Sequence, residues 1–266
     1  MYHSRGGPDT RGGPRVGRGA KSVLTIAIVS CLAVAATGET GLASTGETGT
    51  GAGTTGTAGT TSTAGSTSTA RTWEVSRSRA DDMNQDISTA LYVVNRYWSS
   101  HWRQFFTGRY TRPTVFGGYA RGYRRPPVCG GKRLAYMNAF YCRPGDYIAW
   151  DLGLMRDGYS SGDAWVYLII AHEWGHAVQA RLNAGLVSRA KELQADCLAG
   201  AVLYGAAYDG TLRFESGDVE ELADALTELA DETPWTDVGD HGNATQRVSS
   251  FTQGARYGVY GCLPSS

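Results

Sequence analysis

The chain has 266 residues, 19% of them charged and 41% hydrophobic, with 25 Lys and Arg against 25 Asp and Glu. Without residues 1–36 the balance becomes 20 basic against 24 acidic, a net charge of −4, which excludes bulk electrostatic attraction to nucleic acid. The stretch from Thr72 onward is long enough for one domain with a sizeable core.

Residues 1–21 carry Arg5, Arg11, Arg15, Arg18 and Lys21 against a single acid, Asp9, and residues 22–36 form an apolar run. This is the plan of a secretory signal. Fifteen helical residues reach about 22 Å, short of the roughly 30 Å of a bilayer core, so an ordinary spanning helix is not expected. Three fates fit the segment: lipidation at Cys31 within Ile28-Val-Ser-Cys31, cleavage after Ala33-Val-Ala35, or retention as a short anchor. Each leaves the basic flank inside and exports the remainder to the cell envelope, tethered to the outer face of the cytoplasmic membrane or secreted. Residues 37–72 are almost wholly Gly, Thr, Ser and Ala, with Thr-Gly-Glu-Thr-Gly occurring twice. Such a stretch buries no core and reads as a flexible linker. Residues 73–266 are the expected folded domain.

Within it, Met83, Ile87, Ala90, Leu91 and Val94 give an apolar stripe to a helix expected over 79–100. Gly, Pro and aromatic residues between 108 and 151 predict loops and short strands. Arginine and tyrosine alternate in Gly108-Arg-Tyr-Thr-Arg-Pro113 and Tyr119-Ala-Arg-Gly-Tyr-Arg-Arg-Pro126. That pattern fits either a grip on an anionic polymer or a surface packed over strands. Tyr147–Asp151 reads as a strand, either an edge that takes a peptide backbone by strand addition or an ordinary member of a sheet.

Residues 163–176 read as a helix that ends in His172-Glu-Trp-Gly-His176. Residues four apart share a helical face, so both imidazoles can meet one metal ion, with Glu173 turned about 100° away, close enough to act as a base on water. Trp165, Leu168, Ile169, His172 and His176 follow the spacing of one buried face. A tetrahedral catalytic zinc needs a third protein ligand. Glu192 is the candidate, sixteen residues on, after the turn-forming Asn183-Ala-Gly185, on a second helix running back. Asp196, one turn beyond Glu192, is placed to accept a hydrogen bond from the far nitrogen of a ligating histidine.

Four cysteines remain besides Cys31, and an even count in an exported chain suggests disulfides. Cys129 and Cys142 close a short loop through Gly130-Gly131 and form the first pair; Cys197 with Cys262 follows by elimination, although sequence alone allows three connectivities. Asp218-Val-Glu-Glu221 resembles a capping box for a helix that runs to Pro234.

Three segments, Ala171-His-Glu-Trp-Gly-His-Ala-Val-Gln179, Glu192-Leu-Gln-Ala-Asp-Cys-Leu-Ala-Gly200 and His241-Gly-Asn-Ala-Thr-Gln-Arg-Val248, together resemble the neutral zinc metallopeptidase family of bacteria. Asn138-Ala-Phe-Tyr-Cys142 before Asp146-Tyr-Ile-Ala-Trp-Asp151 matches the same layout. The likeness covers about residues 73–262 and extends to membrane CAAX-type endopeptidases. It implies an α+β, helix-dominated, zincin-like metallopeptidase domain with a small sheet and the metal between two helices. It implies one zinc ion held by His172, His176 and Glu192, with Glu173 as general base in peptide-bond hydrolysis. His241 and Arg247 are candidate donors to the developing oxyanion; a helix cap and a surface ion pair fit that segment equally. The expected partners are a peptide or protein substrate and, through the N-terminal segment, a membrane. A catalytically inert binding module for an envelope partner and a cell-wall peptide amidase are the alternative readings.

Overall fold

The computed structural model of the chain describes residues 67–230 and 242–265. The apolar segment 22–36, with Cys31, and most of the linker lie outside them. Among the described residues no helix is long and apolar enough to cross a membrane.

The elements run α1 (Thr67–Phe105), β1 (Thr114–Tyr119), β2 (Val128–Cys129), β3 (Lys132–Arg133), β4 (Ala139–Cys142), β5 (Tyr147–Asp151), α2 (Leu152–Tyr159), α3 (Ala164–Gln179), α4 (Lys191–Tyr208), α5 (Asp218–Glu228) and α6 (Ala244–Tyr257), with 3-10 turns at Ala184–Leu186 and Val259–Cys262. The helix-dominated α+β class expected from the sequence is the one observed. α1 starts at Thr67, inside the stretch read as linker, and runs five residues past the expected Ser100.

α3 is the centre of the domain. Fourteen of its sixteen residues are buried, because α1, α4, α5 and the sheet all pack around it. α1 contributes Met83, Ile87, Ala90, Val94, Trp98 and Trp102 to the core, while Leu91 is only partly covered. α4 is buried without a break from Gln194 to Leu203, between α3 on one side and α6 on the other. The crossing of α4 and α6 is backbone against backbone. A Cβ at Gly254 would fall 1.8 Å from the Cys197 carbonyl oxygen, and one at Gly200 would fall 2.1 Å from that of Phe251. Gly254→Ala must therefore push the helices apart, and its expected cost is about 3 kcal/mol or more in urea unfolding; a loss below about 1 kcal/mol would show that the crossing can give. The Cys197–Cys262 disulfide ties α4 to the 3-10 turn that follows α6, and Cys129–Cys142 closes the loop before β5, so both expected pairs form.

The three-stranded sheet has the order β1-β5-β4, with β1 parallel and β4 antiparallel to β5. Tyr147–Asp151 is thus a strand but not an edge: both its sides are hydrogen-bonded, so it has no backbone groups left for an added peptide. The open edges belong to β1 and β4. Asp151 ends β5 as the N-cap of α2, its Oδ1 accepting from the N–H groups of Gly153 (2.9 Å) and Leu154 (3.2 Å).

One helix start differs from expectation. α5 is entered through Gly217, with φ of 113°, rather than through a capping box at Asp218. Glu221 Oε2 instead accepts from the Ala164 N–H at 3.2 Å, at the first residue of α3. Tertiary packing has taken the carboxylate away from its own helix. The reciprocal capping box stands at α6, where Asn243 and Gln246 each accept the other's backbone N–H at 3.0 Å. Pro234 lies outside the described residues.

Candidate metal centre

One turn of α3 separates His172 from His176, and their Nε2 atoms stand 3.2 Å apart. Glu192, in the first turn of α4, brings Oε2 to 3.3 Å from each. α4 can come this near because Gly175, inside the motif, has no side chain; a Cβ there would lie 2.9 Å from the Ala195 carbonyl oxygen. Donors bound to one tetrahedral zinc at about 2.0–2.1 Å stand about 3.3–3.4 Å from one another. The triangle formed by the two Nε2 atoms and Oε2 therefore has the size such an ion needs, and two imidazoles with one carboxylate are a donor set that suits zinc.

Each histidine has its other nitrogen engaged. His172 Nδ1 lies 2.8 Å from Asp196 Oδ1, and His176 Nδ1 lies 3.0 Å from Gln179 Oε1. With both Nδ1 atoms donating, the Nε2 lone pairs and the Glu192 carboxylate converge as acceptors, an arrangement that calls for a cation between them. Without a metal a proton serves. Burial lowers the pKa of His172, but Asp196, Glu192 and Glu173 outweigh burial and lift it to about 10.

Asp196 is fully buried and is the hub behind the site. Arg247, reaching in from α6, donates Nε to Asp196 Oδ2 and Nη2 to Oδ1, each at 2.8 Å, and Nη1 to the Leu229 carbonyl at 2.8 Å. Burial alone would raise the Asp196 carboxyl; the Arg247 and His172 hydrogen bonds overcome that and hold it below its usual value. This placement does not fit the oxyanion-donor role expected for Arg247. Its guanidinium is 3% exposed and stands behind Asp196, on the side of His172 away from Nε2. His241 lies outside the described residues.

Glu173 follows His172 on α3 and is 7% exposed. Tyr119, at the end of β1, has its hydroxyl pKa pushed upward, by burial first and then by nearby groups that include Asp151. The sheet is itself clamped to α3. Arg181, just past the helix, donates Nη2 to both oxygens of Asp146 at 2.9 Å, and Nη1 to the Ala177 carbonyl at 2.6 Å. Asp146 holds the β4–β5 turn at φ of 45°, so this pair ties a strained turn to α3. Of the Arg/Tyr segments, Tyr110 is structural: it accepts from Trp174 Nε1 at 2.9 Å and packs against Trp102. Arg121 lies over the Tyr136 ring, 5.0 Å from its centroid. Sequence reasoning missed Arg181, Gln179 and Gln194. A glutamine three residues after His176 on a buried helix was the signal available for Gln179.

A model of the family described as "Putative neutral zinc metallopeptidase" matches residues 2–262. The chain is 28% identical over 221 residues to the uncharacterized protein Rv2575 of Mycobacterium tuberculosis strain H37Rv, covering 66% of this chain and 70% of that one. It is similar to the same extent to the uncharacterized protein Mb2605 of Mycobacterium bovis. No solved structure matches. With the match spanning nearly its whole length, this chain belongs to that neutral zinc metallopeptidase family.

Proposed function

We propose that this protein is an extracytoplasmic zinc-dependent endopeptidase. The observation that carries the proposal is the convergence of His172 Nε2, His176 Nε2 and Glu192 Oε2 at 3.2–3.3 Å, one residue away from a buried Glu173. These three residues would hold one zinc ion. Bound there, zinc supplies a Lewis acid that polarises the scissile carbonyl and makes water acidic enough to attack near neutral pH. Glu173 accepts a proton on its carboxylate from the attacking water and returns it to the departing amine nitrogen. Asp196 and Arg247 keep the His172 ring in place while charge develops. His241 is the proposed donor to the oxyanion.

The basic residues 1–21, the apolar run 22–36 and the Gly/Thr/Ser/Ala-rich stretch after them support export to the cell envelope, either tethered at the outer face of the cytoplasmic membrane through Cys31 or a retained anchor, or secreted after cleavage. Intact mass of the mature N-terminus tests that part. The enzymatic part is tested by incubating the zinc-loaded full chain with an unstructured protein and, separately, with purified peptidoglycan. New internal peptide cuts in the protein support an endopeptidase. Release of cell-wall peptides alone would make the chain an amidase, and hydrolysis of neither would leave a binding module.

A further inference from the structure

The two histidines are anchored by unlike groups. Behind His172 stands a buried carboxylate held by an arginine; behind His176 stands the amide of Gln179. An amide can present either an acceptor or a donor, so whatever fixes its direction fixes the tautomer of the imidazole it touches.

Gln194 fixes it. Its Nε2 donates to the carbonyls of Leu186 (2.8 Å) and Cys262 (3.0 Å), and its Oε1 accepts from the N–H of Ser188 (2.9 Å). All three are main-chain groups that cannot change roles. A reversed Gln194 amide would set its oxygen against two carbonyl oxygens in a site only 4% exposed. Its Oε1 must therefore face Gln179, whose Nε2 donates to it at 3.1 Å and to the Lys191 carbonyl at 2.7 Å. Only Gln179 Oε1 then remains for His176, and an oxygen acceptor at 3.0 Å requires a proton on Nδ1. His176 Nε2 is left with a bare lone pair, 3.3 Å from Glu192 Oε2 and 3.2 Å from His172 Nε2.

We propose that Gln194 and Gln179 form an amide relay that holds His176 in its Nδ1–H tautomer before any metal arrives, so that its Nε2 is presented ready to ligate. The relay starts from main-chain atoms: the turn Leu186–Ser188 and the main-chain carbonyl of Cys262, which the disulfide to Cys197 ties to α4 itself. Both glutamines are positioning residues, since neither touches the reacting atoms. The consequence for zinc rests on the peptidase reading; the tautomer does not.

The test is a long-range 1H–15N correlation of the histidine rings in the zinc-free full chain under mildly alkaline conditions, with zinc affinity measured alongside. Wild type is expected to show His176 protonated at Nδ1 alone. Gln179→Leu and Gln194→Leu are each expected to bring in the Nε2–H form and to weaken zinc binding about 10–100-fold. Gln179→Met, of similar length but with no acceptor for Nδ1, is expected to bring in the Nε2–H form as well, and it serves as the folded comparison should a leucine variant unfold. An Nε2–H form of His176 in wild type overturns the relay, as does a pure Nδ1–H form in both leucine variants. A fixed tautomer in a protein that cuts no peptide would remove the proposed function and leave the relay standing.

Discussion

Glu173→Gln is expected to lower kcat/KM for peptide hydrolysis by about 10²–10⁴-fold, or more, while one zinc per chain is retained. The substitution keeps the size and shape of a side chain that is 7% exposed in the middle of α3, so packing around it changes little. What disappears is the ability to accept a proton. The three converging atoms belong to His172, His176 and Glu192, and none is altered. Hydrolysis assays paired with metal analysis check the outcome. Loss of zinc together with activity would mean that Glu173 supports the metal rather than the proton transfer, and activity close to wild type would contradict the assigned mechanism.

Arg247→Leu is expected to destabilise the fold by about 3–5 kcal/mol and to weaken zinc binding about 10–100-fold. Asp196 has no solvent contact, and both its oxygens receive Arg247. Removing the guanidinium leaves a buried carboxylate whose principal remaining cationic partner is His172, and frees the Leu229 carbonyl from its donor. Because Asp196 carries His172 Nδ1, the disturbance reaches the metal through the ring. Urea unfolding of the zinc-free and zinc-loaded protein separates the two effects. An oxyanion donor would behave otherwise: its removal would depress kcat and leave stability and zinc affinity intact. That outcome would restore the role the sequence suggested for Arg247.

The ligand triangle was readable because its geometry is local. A four-residue spacing on one helix puts two imidazoles together whatever the fold, and sixteen residues from His176 to Glu192 leave room for only one turn and a return. Asp196 followed from the same helical arithmetic, and the loop between Cys129 and Cys142 needed only a short span of chain. What escaped the sequence depends on contacts between distant elements. Arg247 belongs with Asp196 because α6 crosses α4 at Gly254 and Gly200, and nothing in the order of residues announces that crossing. β5 is central because β1, about thirty residues earlier, returns parallel to it, a pairing that local patterns do not encode. α3 and α4 are covered on nearly all sides, so the single buried face suggested by Trp165, Leu168, Ile169, His172 and His176 understates how much of α3 is enclosed. For the same reason Gln179 and Gln194 look like solvent-facing residues in the sequence, although each is buried and bonded. Glu221 was read as serving its own helix, yet it serves the start of α3.

The most direct measurement is the zinc content and affinity of the full chain beside its Glu192→Ala variant, by elemental mass spectrometry and competition with a chelator. One zinc per wild-type chain and a sharp loss of affinity in the variant are the predicted results. No zinc after reconstitution, or an affinity unchanged by the substitution, would contradict a site closed by His172, His176 and Glu192.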